Sequence, residues 1–284
     1  MKRTSLFFAT FLFSLLTFSA ELKFAVVGDA GLWNSNSQSL LASIVKFDTK
    51  KMVMPGDNIY SGTYEKAWTP WKNAGITFDV VAIGNHHLGY ANEVKYFGMP
   101  GEYFAKSYLN GEVLFLVLNS DNTKTVNEQM TWFESQLKST TAKQVYAVYH
   151  HPSLTIGEHK WTEKKAFQTK IRSLFKTYRS KITAVIVGHD HVAALINFDN
   201  LPVIVSGSAQ SPDKGSPVNN VQEGIQVKSQ IYLSAQPYWV QQITSGGDSA
   251  EFNFIRAKDN KVLCKAVIQT GMRETHSCVK EFLR

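Results

Sequence analysis

Apolar residues come in short bursts through the first two thirds of this chain, and most bursts end in Gly, Asp, Asn or His. Leu22 to Val27 predicts a strand, followed by Gly28-Asp29-Ala30-Gly31. Between Ser37 and Phe47, Leu40, Leu41, Ile44 and Val45 share one helical face. Met52-Val53-Met54 predicts a short strand before Gly56-Asp57-Asn58-Ile59-Tyr60, and Glu65 to Lys72 a helix with Trp68 and Trp71 turned inward. Phe78 to Ile83 predicts a third strand, ending in Gly84-Asn85-His86-His87. Tyr103 to Tyr108 and Val113 to Leu118 predict an antiparallel pair about Asn110-Gly111. Asn127 is placed to cap a helix through Trp132, Phe133 and Leu137. Val145 to Tyr149 predicts a strand leading into His150-His151-Pro152, and Thr162 to Tyr178 a helix. Thr183 to Val187 predicts a strand ending in Gly188-His189-Asp190-His191, where the glycine would let the chain turn sharply. Beyond that the pattern is mostly strands: Ala194 to Phe198, Val203 to Val205, Gln230 to Leu233, Tyr238 to Ile243, Glu251 to Ile255 and Lys261 to Ile268.

Early strands alternating with helices predict a parallel core, and the later strands a second, mixed sheet packed on the first. The expected fold is α/β: two mixed β-sheets face to face with flanking helices, in one domain spanning 21–284. Ligands of such sheets gather beyond the carboxyl ends of the strands, where all the polar turns above lie.

The first residues change the picture of where the chain works. Lys2 and Arg3 precede an apolar run from Leu6 to Phe18, then the small pair Ser19-Ala20. This is the pattern of a secretory signal peptide over residues 1–20, with cleavage after Ala20 or Ser19. The run is shorter than the roughly 20 residues of a spanning helix, so a secreted or periplasmic product without a stable membrane anchor is expected. The remainder carries 28 basic against 23 acidic residues, a net +5 that suits an anionic substrate. No basic run suggests nucleic acid. Cys264 and Cys278 are the only cysteines, and a hairpin about Thr270-Gly271 would bring them together as a disulfide. Two free thiols are the alternative.

Five strand ends carry donor side chains: Asp29; Asp57 with Tyr60; Asn85 with His86; His150; and His189 with His191. Seven of the eight histidines fall between His86 and His191. Asp29, Asp57, Tyr60, Asn85, His150, His189 and His191 are too many donors for one ion and point to two. A carboxylate such as Asp57 can bridge two ions. The candidate set contains no thiolate, which excludes a structural zinc or iron–sulfur site.

These motifs resemble the five metal motifs of calcineurin-like metallophosphoesterases, in the same order. Tyr60, three residues after Asp57, narrows the resemblance to purple acid phosphatases, of the small tartrate-resistant type. The resemblance implies the metallophosphoesterase α/β/β/α sandwich and an acid phosphatase acting on small-molecule phosphomonoesters by attack of metal-bound hydroxide. It implies that Asp29, Tyr60 and His191 hold Fe(III). Asn85, His150 and His189 would hold a divalent ion (iron, zinc or manganese), and Asp57 would bridge. His86 and His159, the latter in Ile156-Gly157-Glu158-His159, would contact the phosphate and protonate the leaving group. The enzyme is expected to act as a monomer.

Three features depart from that family. His87 stands where an acidic residue is usual, His151 has no assigned role, and the stretch Asn119 to Glu128 is short where mammalian relatives carry an inhibitory loop. Lys164 and Lys165 read as the solvated face of a helix. Two rivals remain at this level: a phosphodiesterase or nucleotidase using two divalent ions, and a non-catalytic binding protein on the same fold.

Overall fold

The structure is a computed structural model, and it describes residues 21–159, 161–212, 220–222, 225–272 and 274–278. The expected signal segment lies outside the described residues. Among the described residues, no helix is long and apolar enough to cross a membrane.

The first three strands, β1 (Leu22–Val26), β2 (Lys51–Met54) and β3 (Thr77–Val81), run parallel and side by side. Helices α1 (Ser35–Lys46) and α2 (Tyr64–Asn73) connect them. α1 begins two residues before the expected start because the Asn34 side chain accepts the Ser37 N–H at 3.1 Å. Trp68 and Trp71 of α2 are fully buried, as their spacing predicts. A third helix, α3 (Tyr90–Phe97), has no counterpart in the sequence reading. Tyr90, Val94 and Phe97 give it a short apolar face, partly buried against the core, while its one fully buried residue is a carboxylate, Glu93.

The chain then builds a second sheet. β4 (Phe104–Tyr108) and β5 (Val113–Val117) form the expected antiparallel hairpin. α4 (Val126–Ser139), β6 (Gln144–Val148), α5 (Lys165–Thr177) and β7 (Ala184–Val187) follow, with β5, β6 and β7 parallel. Asn127 does not cap α4; it lies inside the helix, and its Oδ1 accepts from Lys170 Nζ at 2.5 Å. β8 (Ala193–Phe198), β9 (Leu201–Ser206), β10 (Asn220–Gln222) and β11 (Ile225–Leu233) complete this sheet, in the order β10-β11-β8-β9-β7-β6-β5-β4.

The last strands return to the first sheet. β12 (Tyr238–Thr244) pairs antiparallel with β1, Leu22 opposite Thr244 and Val26 opposite Val240. β13 (Ser249–Arg256), β14 (Lys261–Gln269) and β15 (Thr275–Cys278) extend it outward, giving β15-β14-β13-β12-β1-β2-β3. Both sheets are therefore mixed. This is the expected pair of mixed sheets; the parallel pairing read from the early strands holds for β1, β2 and β3, and β12 adds an antiparallel neighbour. Periodicity reports which faces of a strand are buried, not which edge it joins. The last hairpin sets Cys264 opposite Cys278, and the two are joined in a disulfide.

Alternation along the central strands shows how the layers stack. Phe115, Tyr146 and Ile186 face the first sheet, while Leu116, Ala147 and Val187 face α4 and α5. Across the intersheet core, Phe24 meets Phe115 edge-on at 5.2 Å and Tyr108 at 5.1 Å. On the outer side of β12, Trp239 is fully buried and donates to Ser43 Oγ of α1 at 2.9 Å. The result is helices, sheet, sheet, helices. The turns after β1, β2, β3, β6 and β7 converge at one edge of this sandwich.

Candidate metal centre

Each predicted donor follows a strand end by a few residues, and the turns that present them are tight. Asp29, Asp57 and His189 adopt left-handed backbone, at φ 57°, 54° and 70°. Such a conformation costs a non-glycine residue on the order of 1–3 kcal/mol, and it persists here only because surrounding contacts impose it. The sharp turn expected at Gly188 belongs to His189 itself. Gly188 is needed for space: a Cβ there would stand 2.6 Å from Asp29 Oδ2 and 3.0 Å from the Pro55 carbonyl oxygen. Gly84 is needed likewise, since a Cβ would collide with the Asp57 carboxylate.

The seven donors form two adjoining clusters. In the first, the Tyr60 hydroxyl donates to Asp29 Oδ1 at 3.2 Å and lies 3.3 Å from His191 Nε2. In the second, His150 Nε2 lies 3.1 Å from Asn85 Oδ1, 3.2 Å from Asp57 Oδ1 and 3.2 Å from His189 Nδ1. Asp57 lies between the two, with a carboxylate oxygen within 4.8 Å of ligand atoms of both Asp29 and His150. Asp29, Asp57, His150 and His189 are buried.

The hydrogen bonds behind the histidines assign their tautomers. His150 Nδ1 faces the Pro55 carbonyl at 2.9 Å, and His191 Nδ1 faces that of Ser211 at 2.9 Å. His189 Nε2 faces Glu163 Oε2 at 2.8 Å. An oxygen acceptor calls for an N–H, so the opposite nitrogen of each ring is bare. Three bare imidazole nitrogens and two carboxylates thus converge with few protons between them. Among the described residues, the ion pairs of Asp29 and Asp57 are with histidines only. Lone pairs packed this way repel unless cations stand among them, and buried carboxylates need compensation. The donor set therefore fits metal ions. Three groupings of histidine and acid could each hold one: Asp29-Asp57-His150, His150-His151-His189 and His159-Glu163-His189.

Proton affinities in the cluster point the same way. Burial, followed by the charges of Asp29 and Asp57, pushes the Tyr60 phenol far above its ordinary range. Burial also raises the Asp29 carboxyl. Burial, then the neighbouring His150 and His159, pushes His189 down to about 3. The histidine stays neutral, and the phenol gives up its proton only to a stronger charge.

The candidate proton donors flank the clusters. His86 is half exposed, its ring 4.5 Å from that of Tyr60 and its Nε2 4.0 Å from Asp57 Oδ2. His159 lies with its ring 3.8 Å from that of His189. His151 is buried, with Nδ1 2.9 Å from Ser120 Oγ and its ring 4.5 Å from that of His189; it walls the site. His87 reaches away: its Nδ1 accepts the Gly89 N–H at 2.9 Å, and its Nε2 lies 3.4 Å from Asp121 Oδ2. Asp121 also accepts from Tyr90 at 2.7 Å and Lys164 at 2.7 Å. Lys164 is thus tied into the rim and is not part of a solvated face, whereas Lys165 is exposed.

Three residues behind the donors were not singled out from the sequence. Glu93, from α3, accepts from Asn58 Nδ2 at 2.6 Å and from the Tyr64 hydroxyl at 2.8 Å, bracing the Asp57 turn. Asp190 accepts from Thr155 Oγ1 at 2.6 Å and from the Gly157 N–H at 3.3 Å, anchoring the loop that carries His159. Glu163 is the third. Only Asp190 carried a signal, lying between two candidate ligands in sequence.

Comparison with known proteins shows the family and the fold. The profile described as Calcineurin-like phosphoesterase matches residues 22–193. The curated protein named "Probable purple acid phosphatase 20", from Arabidopsis thaliana, is 27% identical over 203 residues. That stretch is 60% of this chain and 45% of the relative, so the chain spans under half the relative's length. Among solved structures, GAP50, described as the anchor in the inner membrane complex of Plasmodium, superposes with a TM-score of 0.71 at 16% identity. It covers 89% of this chain and 90% of its own. Purple acid phosphatase PPD1 from yellow lupin (Lupinus luteus) gives 0.62 at 14% identity, over 88% of this chain and 54% of its own. At these identities the structural likenesses show the fold.

Proposed function

The chain belongs to the calcineurin-like phosphoesterases, and from that premise we propose that it is an exported acid phosphatase of the purple acid phosphatase type, acting on small-molecule phosphomonoesters. The observation that carries this is the convergence of Tyr60, Asp29 and His191 beside a second cluster that shares Asp57. Asp29, Tyr60 and His191 would hold Fe(III), which prefers anionic oxygen donors. Asn85, His150 and His189 would hold a divalent ion, and Asp57 would bridge the pair. Bound there, the ions would supply charge that draws in a phosphate and makes water a readier proton donor.

The remaining work falls to the chain. His86 and His159, one beside each cluster, hydrogen-bond the phosphate oxygens through their ring N–H groups. The oxygen of water bonds to phosphorus as the P–O ester bond breaks, and one water proton passes to solvent. One of the two histidines gives its proton to the departing oxygen, leaving an alcohol and phosphate. The mature chain, 21–284, acts as one catalytic unit and a monomer, and its export rests on the charged and apolar start of the sequence.

Metal analysis and colour test the reading together. A phenolate on ferric iron absorbs visible light because its filled oxygen orbitals lie close to the half-filled d shell. We expect iron-loaded protein to be purple or pink, to hydrolyse a chromogenic phosphomonoester, and to lose its colour in Tyr60→Phe at equal iron content. Colour that persists in the variant would remove Tyr60 from the ligand set. A colourless, active protein holding only divalent ions would favour the phosphodiesterase reading.

A further inference from the structure

The three histidines that turn a bare nitrogen into the clusters differ in what stands behind them. His150 and His191 lean on backbone carbonyls, of Pro55 and Ser211. His189 leans on a side chain, with Glu163 Oε2 2.8 Å from its Nε2. The other Glu163 oxygen, Oε1, lies 3.6 Å from Nδ1 of His159, whose ring rests on that of His189. One carboxylate, from the turn just before α5, thus reaches both the candidate divalent-ion ligand and the candidate proton donor.

We propose that Glu163 is a positioning residue of the metal centre: it fixes the His189 tautomer that leaves Nδ1 free for the divalent ion, and it tethers His159 above that ring. The proposal rests on the reading of His189 as a ligand. A neutral imidazole has two tautomers. The wrong one places a proton on Nδ1, 3.2 Å from His150 Nε2, and closes the donor. An ionised carboxylate only accepts, so it selects the proton on Nε2 and makes Nδ1 a stronger donor. Backbone carbonyls select tautomers too, but they carry no full charge and no substitution removes them. Glu163 is 36% exposed, so the contact forms at the mouth of the site, where substitution leaves the core intact.

The test reads metal affinity and not turnover alone. Wild type, Glu163→Ala and Glu163→Gln would be equilibrated with chelator-buffered zinc, and the ions retained per chain counted. We expect wild type to hold two ions. Glu163→Ala should bind one of them 10–100-fold more weakly and keep the other, the usual effect of losing an outer carboxylate. Glu163→Gln, whose amide oxygen still accepts, should fall between. Wild-type affinity in Glu163→Ala would overturn the proposal and leave the metal reading standing. Loss of both ions from Glu163→Gln would also overturn it, since the side chain would then support the whole centre and not one histidine. A wild type that binds no zinc would defeat the metal reading itself, and this inference with it.

Discussion

His86 is the residue on which the proposed proton transfer turns most directly. It is exposed, touches Tyr60, and has its backbone N–H fixed by Asp57 Oδ1 at 2.9 Å, so its removal should leave the donors in place. We expect His86→Ala to lower turnover by roughly 10²–10⁴-fold with metal content unchanged. Unchanged turnover across the acid range would strip His86 of the role. Glu93 makes a second test, of the support behind the donors. Burial pushes its carboxyl up to about 7, against the pull of the Asn58 and Tyr64 hydrogen bonds. The folded chain therefore binds this proton more tightly than the unfolded one. Its stabilising effect is present below the ordinary carboxylate range and is lost as pH rises through about 7. In metal-free protein the loss should be on the order of 3 kcal/mol between pH 4 and pH 8. Glu93→Gln should lack that slope in urea denaturation at the two pH values, and matching slopes would show that Glu93 is ionised throughout.

At the scale of elements, the β14–β15 hairpin is closed by the Cys264–Cys278 bond, across a separation of 14 residues. A loop of that size contributes about 3 kcal/mol by restricting the unfolded chain. The double variant Cys264→Ser, Cys278→Ser should lose about that much in chemical denaturation while keeping its metals, because the hairpin is the far edge of the sheet from the β1–β3 turns. This hairpin was legible in part: Thr270-Gly271 marked a turn that made the disulfide an option beside two free thiols, but β15, reading Thr-His-Ser-Cys and mostly exposed, has no apolar alternation to mark it. α3 was missed although Tyr90, Val94 and Phe97 recur at helical spacing, because the helix is short and the position it buries fully, Glu93, is charged. The donor turns were legible because apolar strands stop at them abruptly. What braces them was not, because Glu93 and Glu163 act through contacts 35 and 26 residues away in sequence.

At the scale of the molecule, the donors run from Asp29 to His191, and the family match ends at residue 193. The turns that hold them depend on residues beyond that point. The Gly28 N–H donates to the Ser206 carbonyl at 2.7 Å, and Ser206 Oγ donates to the Val26 carbonyl at 2.8 Å. The Gly207 N–H donates to the Val192 carbonyl at 2.9 Å. β1 is flanked on one side by β2, and on the other only by β12. A chain cut to 21–193 keeps every donor, yet we expect it to bind no metal tightly and to show no cooperative thermal transition; a folded, metal-binding fragment would contradict this. The antiparallel seam between Leu22 and Thr244 sets a timetable for synthesis as well. A ribosome adds about 5–20 residues per second, so the first strand waits on the order of ten seconds or more for the partner that covers its edge. Throughout that interval the nascent chain holds an apolar strand with one open side, and its survival depends on whatever shields that edge until the last third of the message is read.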